Sequence, residues 1–167
     1  IWAELKSDTG ASVVYTTNAT ADSWSNPEDI VFYRYSWPSD PSIAVDNEGT
    51  VHVVWSTRDI FYTYKSKNSQ WQTPVCICST SSVPFSAPDL VSCNNILYLI
   101  WDEENKIYFT SKQNGEDWEE LRVLNTNTVY SVDSPKIAVS SSVAGIVFAT
   151  LIDFDSDNHD IFFFIVP

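Results

Sequence analysis

The sequence predicts an all-β protein made from a repeated unit of four short strands. Three observations carry this prediction: an aromatic content of 14%, a tryptophan that recurs every 47 residues, and a proline that recurs with the same spacing. Aromatic and β-branched side chains suit the half-buried, pleated surface of a sheet. Two independent residue types that share one period indicate an internal repeat. The tryptophans are Trp24, Trp71 and Trp118, and the prolines are Pro41, Pro88 and Pro135.

Each repeat contains four short apolar runs, which we call A, B, C and D. In the first complete unit they span residues 41–46, 50–56, 60–66 and 71–77, and run D starts at the periodic tryptophan. The residues between runs A and B, 46–49, end in glycine and suit a hairpin turn. The stretch 116–124 has some helical character, but the repeat position of Trp118 favours a strand there. The following unit has the same order of runs.

Four strands in a period of 40 to 50 residues are typical of a β-propeller blade. We therefore predict a single partial β-propeller of four-stranded antiparallel blades, about three blades in all. Its units are residues 1–40 (the end of B, then C and D), 41–87, 88–134, and 135–167 (A, B and C). Closed rings take about four to eight blades. We therefore expect self-association, or further blades of the same polypeptide, to close the ring, and we expect the chain to be a processed or excised segment.

The charge of the chain excludes several classes of partner. The formal net charge is −13, and such a surface repels the phosphates of nucleic acids and the head groups of anionic membranes. No apolar run approaches the roughly 18 residues of a membrane span. We therefore expect no nucleic acid and no membrane span, whereas neutral sugars and cations remain suitable partners.

The sequence has three cysteines, Cys76, Cys78 and Cys93. Buried free thiols are the simplest interpretation. A disulfide from Cys76 or Cys78 to Cys93 is the alternative for a secreted protein. A zinc site is the least favoured interpretation, because no fourth ligand is evident nearby.

The repeat resembles the BNR, or Asp-box, repeats of sialidase-like propellers. The resemblance covers nearly the whole chain and includes the pattern P-x-I-A-V-D followed by G-x-V-H-V-V-W, and its best Asp-box copy spans residues 111–118. Ser111, Gly115 and Trp118 match that box, whereas Gln113 replaces its aspartate. The resemblance implies that these turns between strands C and D are structural. It also implies that function lies on the opposite face, in the B–C loops and the D–A connections.

The same resemblance implies what a sialidase site would need: three arginines for a carboxylate, a tyrosine nucleophile with a glutamate partner, and an aspartate. Arginine suits the first task because its planar fork binds a carboxylate through two hydrogen bonds. The arginines of this chain are Arg34, Arg58 and Arg122, and Arg122 is expected on an outer strand. The family's Arg-Ile-Pro motif is replaced by Ser39-Asp40-Pro41. The set is therefore incomplete, and we predict no catalytic residues.

We predict a ligand-binding site on the loop face. The D–A connection, expected at residues 33–40, carries aromatic rings beside an arginine, a combination that suits the flat face and the hydroxyls of a sugar. The alternative is that these rings fill the space between blades, as Phe85 and Tyr130 would in the later connections. The candidate ligand-binding residues are Tyr33, Arg34, Tyr35 and Trp37, with Arg58 and Asp59 from a B–C loop.

One loop is a candidate metal site. Residues 153–160 carry alternating aspartates, a pattern that can surround a hard cation such as Ca²⁺. The loop resembles the calcium loops of integrin-type propeller repeats, although it is one residue short and lacks their glycine. The alternative is a solvated acidic loop. The candidate ligands are Asp153, Asp155, Asp157 and Asp160.

Three functions remain open at this point. The first is a non-catalytic adhesion or lectin-like module, secreted or at the cell surface, that binds a glycan or a protein. The second is a fragment of a sialidase-like glycoside hydrolase whose other residues lie elsewhere. The third is a structural repeat of a surface assembly. The fold does not decide among them.

Overall fold

The structure is a computed structural model of the whole chain. It describes all residues except 8–9, 21–22, 80–86, 104–105, 125–131, 141–143, 154–157 and 167. Only the backbone is described for residues 7, 19–20, 132–133, 144, 146–153 and 158–166.

The described residues are all strands, turns and connections, without a helix. The strands are β1 (Trp2–Ser7), β2 (Gly10–Tyr15), β3 (Asn18–Thr20), β4 (Ser23–Trp24), β5 (Glu28–Arg34), β6 (Ser39–Val45), β7 (Val51–Ser56), β8 (Asp59–Lys65), β9 (Val75–Ser79), β10 (Asp89–Cys93), β11 (Ile96–Glu103), β12 (Lys106–Gln113), β13 (Arg122–Leu124), β14 (Val132–Val139), β15 (Ala144–Asp153) and β16 (Asn158–Val166).

These strands form separate antiparallel sheets that follow one another along the chain. Two sheets have four strands, in the orders β6-β7-β8-β9 and β10-β11-β12-β13. They are flanked by the three-stranded sheets β1-β2-β5 and β14-β15-β16, while β3 and β4 form a small hairpin between β2 and β5. Sequential strands are neighbours in both four-stranded sheets and in the sheet β14-β15-β16. The predicted all-β fold with four-stranded antiparallel sheets is therefore confirmed.

The hydrophobic core lies between consecutive sheets. Val54 of one four-stranded sheet and Leu99 of the next are fully buried and belong to the same cluster. A second contact repeats with the sequence period: Trp71 packs edge-on against Tyr15 at 5.4 Å, and Trp118 packs edge-on against Tyr62 at 5.2 Å between ring centroids. Each of these tryptophans therefore joins its own sheet to the preceding one.

The connections between the third and fourth strands share one set of hydrogen bonds. The hydroxyl of Thr63 donates to the carbonyl of Gln72 at 2.6 Å. The same bond joins Thr110 to Glu119 at 2.8 Å, and Thr16 to Ser25 at 2.9 Å. A backbone bond accompanies each one: the N–H groups of Ser25, Gln72 and Glu119 donate to the carbonyls of Thr17, Tyr64 and Ser111. The structure thus repeats even where the sequence of the connection does not.

The predicted start of the fourth strand is wrong by four residues. The sequence places it at Trp24, Trp71 and Trp118, whereas β5, β9 and β13 begin at Glu28, Val75 and Arg122. The threonine-to-carbonyl bond holds the residue that follows each tryptophan within the connection, so the strand begins only later. As a consequence, Tyr33 and Arg34 lie inside β5 rather than in the connection to β6.

Two kinds of turn connect the first and second strands. Between β10 and β11, Asn94 and Asn95 both have positive φ values, 52° and 62°, as a two-residue type I′ hairpin requires. Between β6 and β7, Gly49 has a φ of 80° and donates its N–H to the carbonyl of Asp46. The predicted turn at residues 46–49 is therefore confirmed.

All three cysteines are free. The disulfide considered as an alternative is therefore absent, and Cys76 is exposed rather than buried. Among the described residues, we also find no helix with the length and apolar character that crossing a membrane requires.

The repeated threonine hydrogen bond predicts a loss of stability that is larger where the threonine is more deeply buried. Thr63 and Thr110 are each 1% exposed, whereas Thr16 is half-buried. Replacing a buried hydroxyl leaves the carbonyl without a partner and costs about 1–2 kcal/mol. We expect Thr63→Val and Thr110→Val to lower the free energy of unfolding by that amount in urea denaturation, and Thr16→Val to lower it by less. Equal effects at all three positions would contradict this explanation.

Candidate functional site

The first strands of three consecutive sheets lie side by side. We call β6, β10 and β14 the inner strands, since β6 contacts β10 and β10 contacts β14. The periodic prolines lie at their starts: Pro41 and Pro135 lie within β6 and β14, and Pro88 directly precedes β10. Each inner strand is the edge strand of its own sheet, where a residue without an N–H is tolerated.

The backbone is irregular at two of these prolines. The residues before them, Asp40 and Ser134, both have a φ of 48°. The pairing of β6 with β7 and of β14 with β15 shifts register at the same points. A β-bulge accommodates an extra residue in this way, and it redirects the neighbouring side chains. The bulges therefore determine in which direction the side chains at the starts of β6 and β14 point.

Side chains join the inner strands to one another. The hydroxyl of Ser42 accepts a hydrogen bond from the N–H of Leu90 at 3.1 Å. One repeat later, a carboxylate oxygen of Asp89 accepts from the N–H of Ile137 at 2.9 Å. Ser42 also donates to the other oxygen of Asp89 at 3.3 Å, and the ammonium of Lys136 lies 3.6 Å from that oxygen. A serine, an aspartate and a lysine thus form a connected row across three sheets.

A cavity of about 400 Å³ opens at this row. We call it the inner-strand cavity. Its volume lies within the range of small-ligand sites. Its polar lining residues are Asp40, Ser42, Asp89, Ser134 and Lys136, and its apolar lining residues include Pro41, Ile43 and Pro88. Carboxylates accept hydrogen bonds, and the hydroxyl and the ammonium donate them. The cavity can therefore both accept a hydrogen bond from a ligand hydroxyl and donate one to it.

The two carboxylates of the cavity differ in their surroundings. Asp89 is held by Ser42, by the N–H of Ile137 and by Lys136. Asp40 is exposed, and no side-chain hydrogen bond to it is found among the described residues. Asp89 therefore shapes the cavity, whereas the carboxylate of Asp40 can accept hydrogen bonds from a bound molecule.

The candidate residues of the aromatic segment occupy two different environments. The Tyr33 hydroxyl accepts a hydrogen bond from the indole N–H of Trp55 at 3.2 Å, and its ring lies 6.1 Å from that of Phe61. Burial is the main reason that the pKa of Tyr33 is raised, although its bond to Trp55 opposes the shift. Tyr33 thus fills the space between two sheets. Tyr35 and Trp37 are 74% and 51% exposed.

The charged candidates lie near this segment and in a turn. The guanidinium of Arg34 lies 5.8 Å from the centre of the Tyr35 ring, within the range of a cation–π contact. Arg58 is exposed in the turn between β7 and β8, and Asp59 begins β8. None of these residues lines the inner-strand cavity among the residues described. Their role in ligand binding stays a prediction.

The candidate calcium loop lies largely outside the described residues. Asp155 and Asp157 are not described, and for Asp153 in β15 and Asp160 in β16 only the backbone is described. Within the remainder of the described chain, no group of three or more His, Cys, Asp or Glu side chains is arranged for a metal ion. The calcium site therefore stays a prediction.

A second polar cluster is buried beside the turn that joins β6 to β7. The Nδ1 atom of His52 lies 2.9 Å from the hydroxyl of Tyr62, and its Nε2 atom lies 3.2 Å from a carboxylate oxygen of Asp46. Asn114 of the neighbouring sheet donates to the same oxygen at 3.3 Å. The side chains of His52 and Asp46 are 3% and 2% exposed. Because a ligand cannot reach them, this cluster supports the structure.

The buried cluster holds its histidine neutral. Burial lowers the pKa of His52, although the neighbouring Asp46 opposes that shift. Burial also opposes ionisation of Asp46, but hydrogen bonds from Thr50, His52 and Glu48 hold its pKa below the usual value. Burial raises the pKa of Tyr62 well above its usual range. A neutral ring then donates from Nε2 to Asp46 and accepts at Nδ1 from the Tyr62 hydroxyl.

Sequence reasoning did not select the residues of the inner-strand cavity. Ser42, Asp89 and Lys136 occupy the same position in successive repeats, but they share neither charge nor size. The available signal was their place directly after the periodic prolines. Asp40 entered the sequence analysis only as part of Ser39-Asp40-Pro41, which replaces the Arg-Ile-Pro motif of sialidases.

Comparison with known proteins supports the fold. No protein-family model matches the chain, and no curated protein matches it. Among solved structures, the chain is similar to a mutant of NanB sialidase from Streptococcus pneumoniae, with a TM-score of 0.57, 10% identity and coverage of 95% of this chain and 27% of that chain. It is also similar to a GH43 endo-arabinanase from Bacillus licheniformis, with a TM-score of 0.51, 13% identity and coverage of 97% and 66%.

At these identities the similarity establishes the fold alone. The chain has the β-propeller fold of these glycoside hydrolases. It spans about a quarter of the sialidase chain, 27%, and 66% of the arabinanase chain. The Asp-box assignment of the repeat stays a prediction.

The buried histidine makes stability depend on pH. The unfolded chain binds a proton at His52 near pH 6.5, whereas the folded chain binds it only at lower pH. The contribution of His52 is therefore complete above pH 6.5 and is lost as the pH falls below it. Asp46 adds a further loss below pH 3.8, since its pKa is lowered by folding. We expect His52→Gln to flatten the loss of stability between pH 7.5 and pH 5 in urea denaturation.

The other histidine of the chain provides the control for this measurement. The same substitution at that position, His159→Gln, is measured beside His52→Gln. The comparison of variants also removes the effect of the large negative charge, which falls with pH in all of them. A pH dependence that disappears in His159→Gln but persists in His52→Gln would show that the assignment is wrong.

Proposed function

We propose that this chain is a carbohydrate-binding propeller segment and that it receives a neutral glycan in the inner-strand cavity. The observation that carries the proposal is the combination of Asp40, Ser42 and Lys136 with apolar proline and isoleucine side chains around about 400 Å³. Sugars present hydroxyl groups around an apolar ring, and this lining matches both features. The two similar structures are named as carbohydrate-cleaving enzymes, which supports a sugar ligand for this fold.

The charges of the site favour a neutral sugar over an acidic one. The only ammonium among the described lining residues, that of Lys136, already lies 3.6 Å from the carboxylate of Asp89. Asp40 adds a second negative charge to the cavity, and the whole chain carries a net charge of −13. An acidic sugar would meet repulsion there without an arginine to bind it. We therefore infer that sialic acid is not the preferred ligand.

The exposed aromatic side chains extend the proposal. Trp37 precedes Asp40 by only three positions, and Tyr35 carries the guanidinium of Arg34 against its ring. We infer that a glycan longer than the cavity would continue over these rings, as the sequence predicts for Arg34, Tyr35 and Trp37. Such a lectin-like role fits a secreted or cell-surface protein, where glycans are accessible, and a protein that carries a glycan would be an equivalent partner.

A second candidate function is that of a glycoside hydrolase fragment. The observation that favours it is the presence of two carboxylates, Asp40 and Asp89, around one cavity and in different surroundings. Most glycoside hydrolases use one carboxylic acid and one carboxylate on either side of the bond that is broken. Release of reducing ends from neutral polysaccharides, abolished by Asp40→Asn, would establish this second function in place of simple binding.

The binding proposal predicts a specific loss. We expect calorimetric titration with a panel of neutral oligosaccharides to find a ligand, and Asp40→Asn to weaken it by about tenfold or more, since a hydrogen bond to a charged group contributes about 1.5–3 kcal/mol. Asp117→Asn, an equally exposed change in the connection between β12 and β13, is the matched control and should leave the affinity unchanged. A sialylated oligosaccharide should bind more weakly than its neutral counterpart.

Two results would contradict this proposal. One is the absence of binding to every neutral oligosaccharide in the panel. The other is equal affinity in Asp40→Asn and in the unmodified chain, which would place the sugar elsewhere. If only Trp37→Ala weakened binding, the exposed aromatic segment would be the site instead of the cavity.

A further inference from the structure

One asparagine combines a reactive sequence with a structural role between two sheets. Asn114 and Gly115 lie in the connection between β12 and β13, and they form the single Asn-Gly pair of the chain. The backbone nitrogen of the residue after an asparagine can attack the asparagine carboxamide. Glycine leaves that nitrogen unhindered because it has no Cβ. The chemistry of this pair therefore deserves comparison with its structural role.

The turn itself does not require glycine at position 115. An equivalent turn occurs one repeat earlier, with Asn68 in place of Gly115, and the φ values of these residues are 62° and 86°. Asparagine is one of the few residues that tolerate this left-handed conformation. A hydrogen bond of 3.0 Å from an N–H to a carbonyl closes each turn, Ser69 to Ser66 and Glu116 to Gln113. The chain thus provides its own glycine-free version of the same turn.

The groups that would react are accessible. Asn114 and Gly115 are both exposed, and a Cβ added to Gly115 would meet nothing within 4 Å. Within the described part of the chain, the N–H of Gly115 donates no backbone hydrogen bond. The hydrogen bonds that hold the Asn114 carboxamide are long, at 3.3 Å and 3.4 Å. The side chain can therefore rotate away from them and toward the nitrogen of Gly115.

The Asn114 carboxamide joins the two four-stranded sheets. Its nitrogen Nδ2 donates to Oδ2 of Asp46 at 3.3 Å and to Oε2 of Glu48 at 3.4 Å, and both acceptors lie in the turn after β6. The same oxygen of Asp46 lies 3.2 Å from Nε2 of the buried His52. A carboxylate at position 114 would accept hydrogen bonds but donate none. The contact therefore depends on the amide.

We propose that Asn114 is a site of spontaneous deamidation and that this modification breaks the contact between the two four-stranded sheets at this turn. The backbone nitrogen of Gly115 attacks Cγ of Asn114, so that a new N–Cγ bond forms while the Cγ–Nδ2 bond breaks. The amide group leaves as ammonia, with the proton from the N–H of Gly115. Water then opens the cyclic imide at one of its two carbonyls, which leaves aspartate or isoaspartate at position 114.

The product places a third carboxylate beside two others. Asp46 and Glu48 lose their common donor, and they face a group of the same charge. The other charged or titratable groups near this point do not offset that charge. His52 is neutral in the folded chain, and the ammonium of Lys112 already lies over the ring of Tyr62, 6.0 Å from its centre. A like charge at short range disfavours the charged forms, so protonation of these carboxyl groups would relieve the repulsion.

The first part of the test follows the modification. The full chain is incubated in mildly alkaline buffer, and peptide mass spectrometry that separates aspartate from isoaspartate follows each asparagine. We expect Asn114 to convert fastest and to give both products. The Gly115→Asn variant, which copies the equivalent turn at Asn68, should keep the turn and should slow the conversion of Asn114 severalfold, because a side chain then shields the attacking nitrogen.

The second part measures the effect on the contact. Asn114→Asp reproduces one product, and we expect it to raise the equilibrium constant of unfolding in urea about fivefold near neutral pH, which corresponds to about 1 kcal/mol. The difference from the unmodified chain should shrink as the pH falls and the carboxylates bind protons. Asn114→Ala removes the donor without adding charge, so its effect should be smaller and independent of pH. Asn68→Asp, the matched change in the equivalent turn, should have little effect.

Three results would overturn the proposal. The first is conversion of Asn114 that is no faster than that of Asn68. The second is an Asn114→Asp chain that is as stable as the Asn68→Asp chain near neutral pH, which would mean that the product keeps the contact. The third is a loss of stability in Asn114→Asp that is the same at every pH, which would exclude repulsion between carboxylates as its cause. This inference does not rest on glycan binding.

Discussion

The hydrogen bonds between inner strands are the interaction on which the rest of the structure depends. A side chain directly after the periodic proline accepts from the backbone of the next sheet: Ser42 from Leu90, and Asp89 from Ile137. At the other end of the sheets, the aromatic pairs Tyr15–Trp71 and Tyr62–Trp118 make the same connection. The interface between the two four-stranded sheets has both attachments, Ser42 to Leu90 and Tyr62 to Trp118, and these two points define the orientation of one sheet relative to the other. The inner-strand cavity is a consequence of this arrangement, since it is lined by the residues that join the strands.

The sequence predicts the architecture well because the architecture is periodic. A spacing of 47 residues between tryptophans and between prolines is sufficient to count the strands and to order them. It is less informative about where a strand begins. The fourth strands start four residues after each tryptophan, because a threonine hydroxyl binds the carbonyl that follows the tryptophan. That bond joins residues nine positions apart and leaves no pattern in hydropathy, so only the structure reveals it.

The site was harder to predict because its residues are related through space. Tyr33 was predicted in a connection, either to bind a ligand or to fill the space between blades. It lies in β5, and its hydroxyl accepts a hydrogen bond from the indole N–H of Trp55, 22 positions away. Three cavity residues share one repeat position but differ in chemical class: Ser42, Asp89 and Lys136. A search for a shared motif therefore does not find them. Asp40 and Ser134 have positive φ values before proline, a conformation that no residue preference would suggest. A neighbouring sheet decides the outcome for Tyr33 and for the cavity residues, whereas the irregular pairing inside their own sheets accompanies the positive φ of Asp40 and Ser134.

The fold does not identify the chemistry of the site, but the charged residues around the inner-strand cavity restrict the class of ligand. Propellers support binding and catalysis alike, so the similarity to two carbohydrate-cleaving enzymes indicates a scaffold and not a reaction. The start of β6 carries an acidic residue in Ser39-Asp40-Pro41, where the resembling sialidase motif would carry an arginine. Arg122, for its part, lies on the outer strand β13 and pairs with Glu119 at 3.5 Å. Binding of an acidic sugar needs positive charge, whereas the described start of the inner strands carries two carboxylates, Asp40 and Asp89, and a single ammonium, that of Lys136. This balance of charge is the reason that we propose a ligand with hydroxyl groups and no charge of its own.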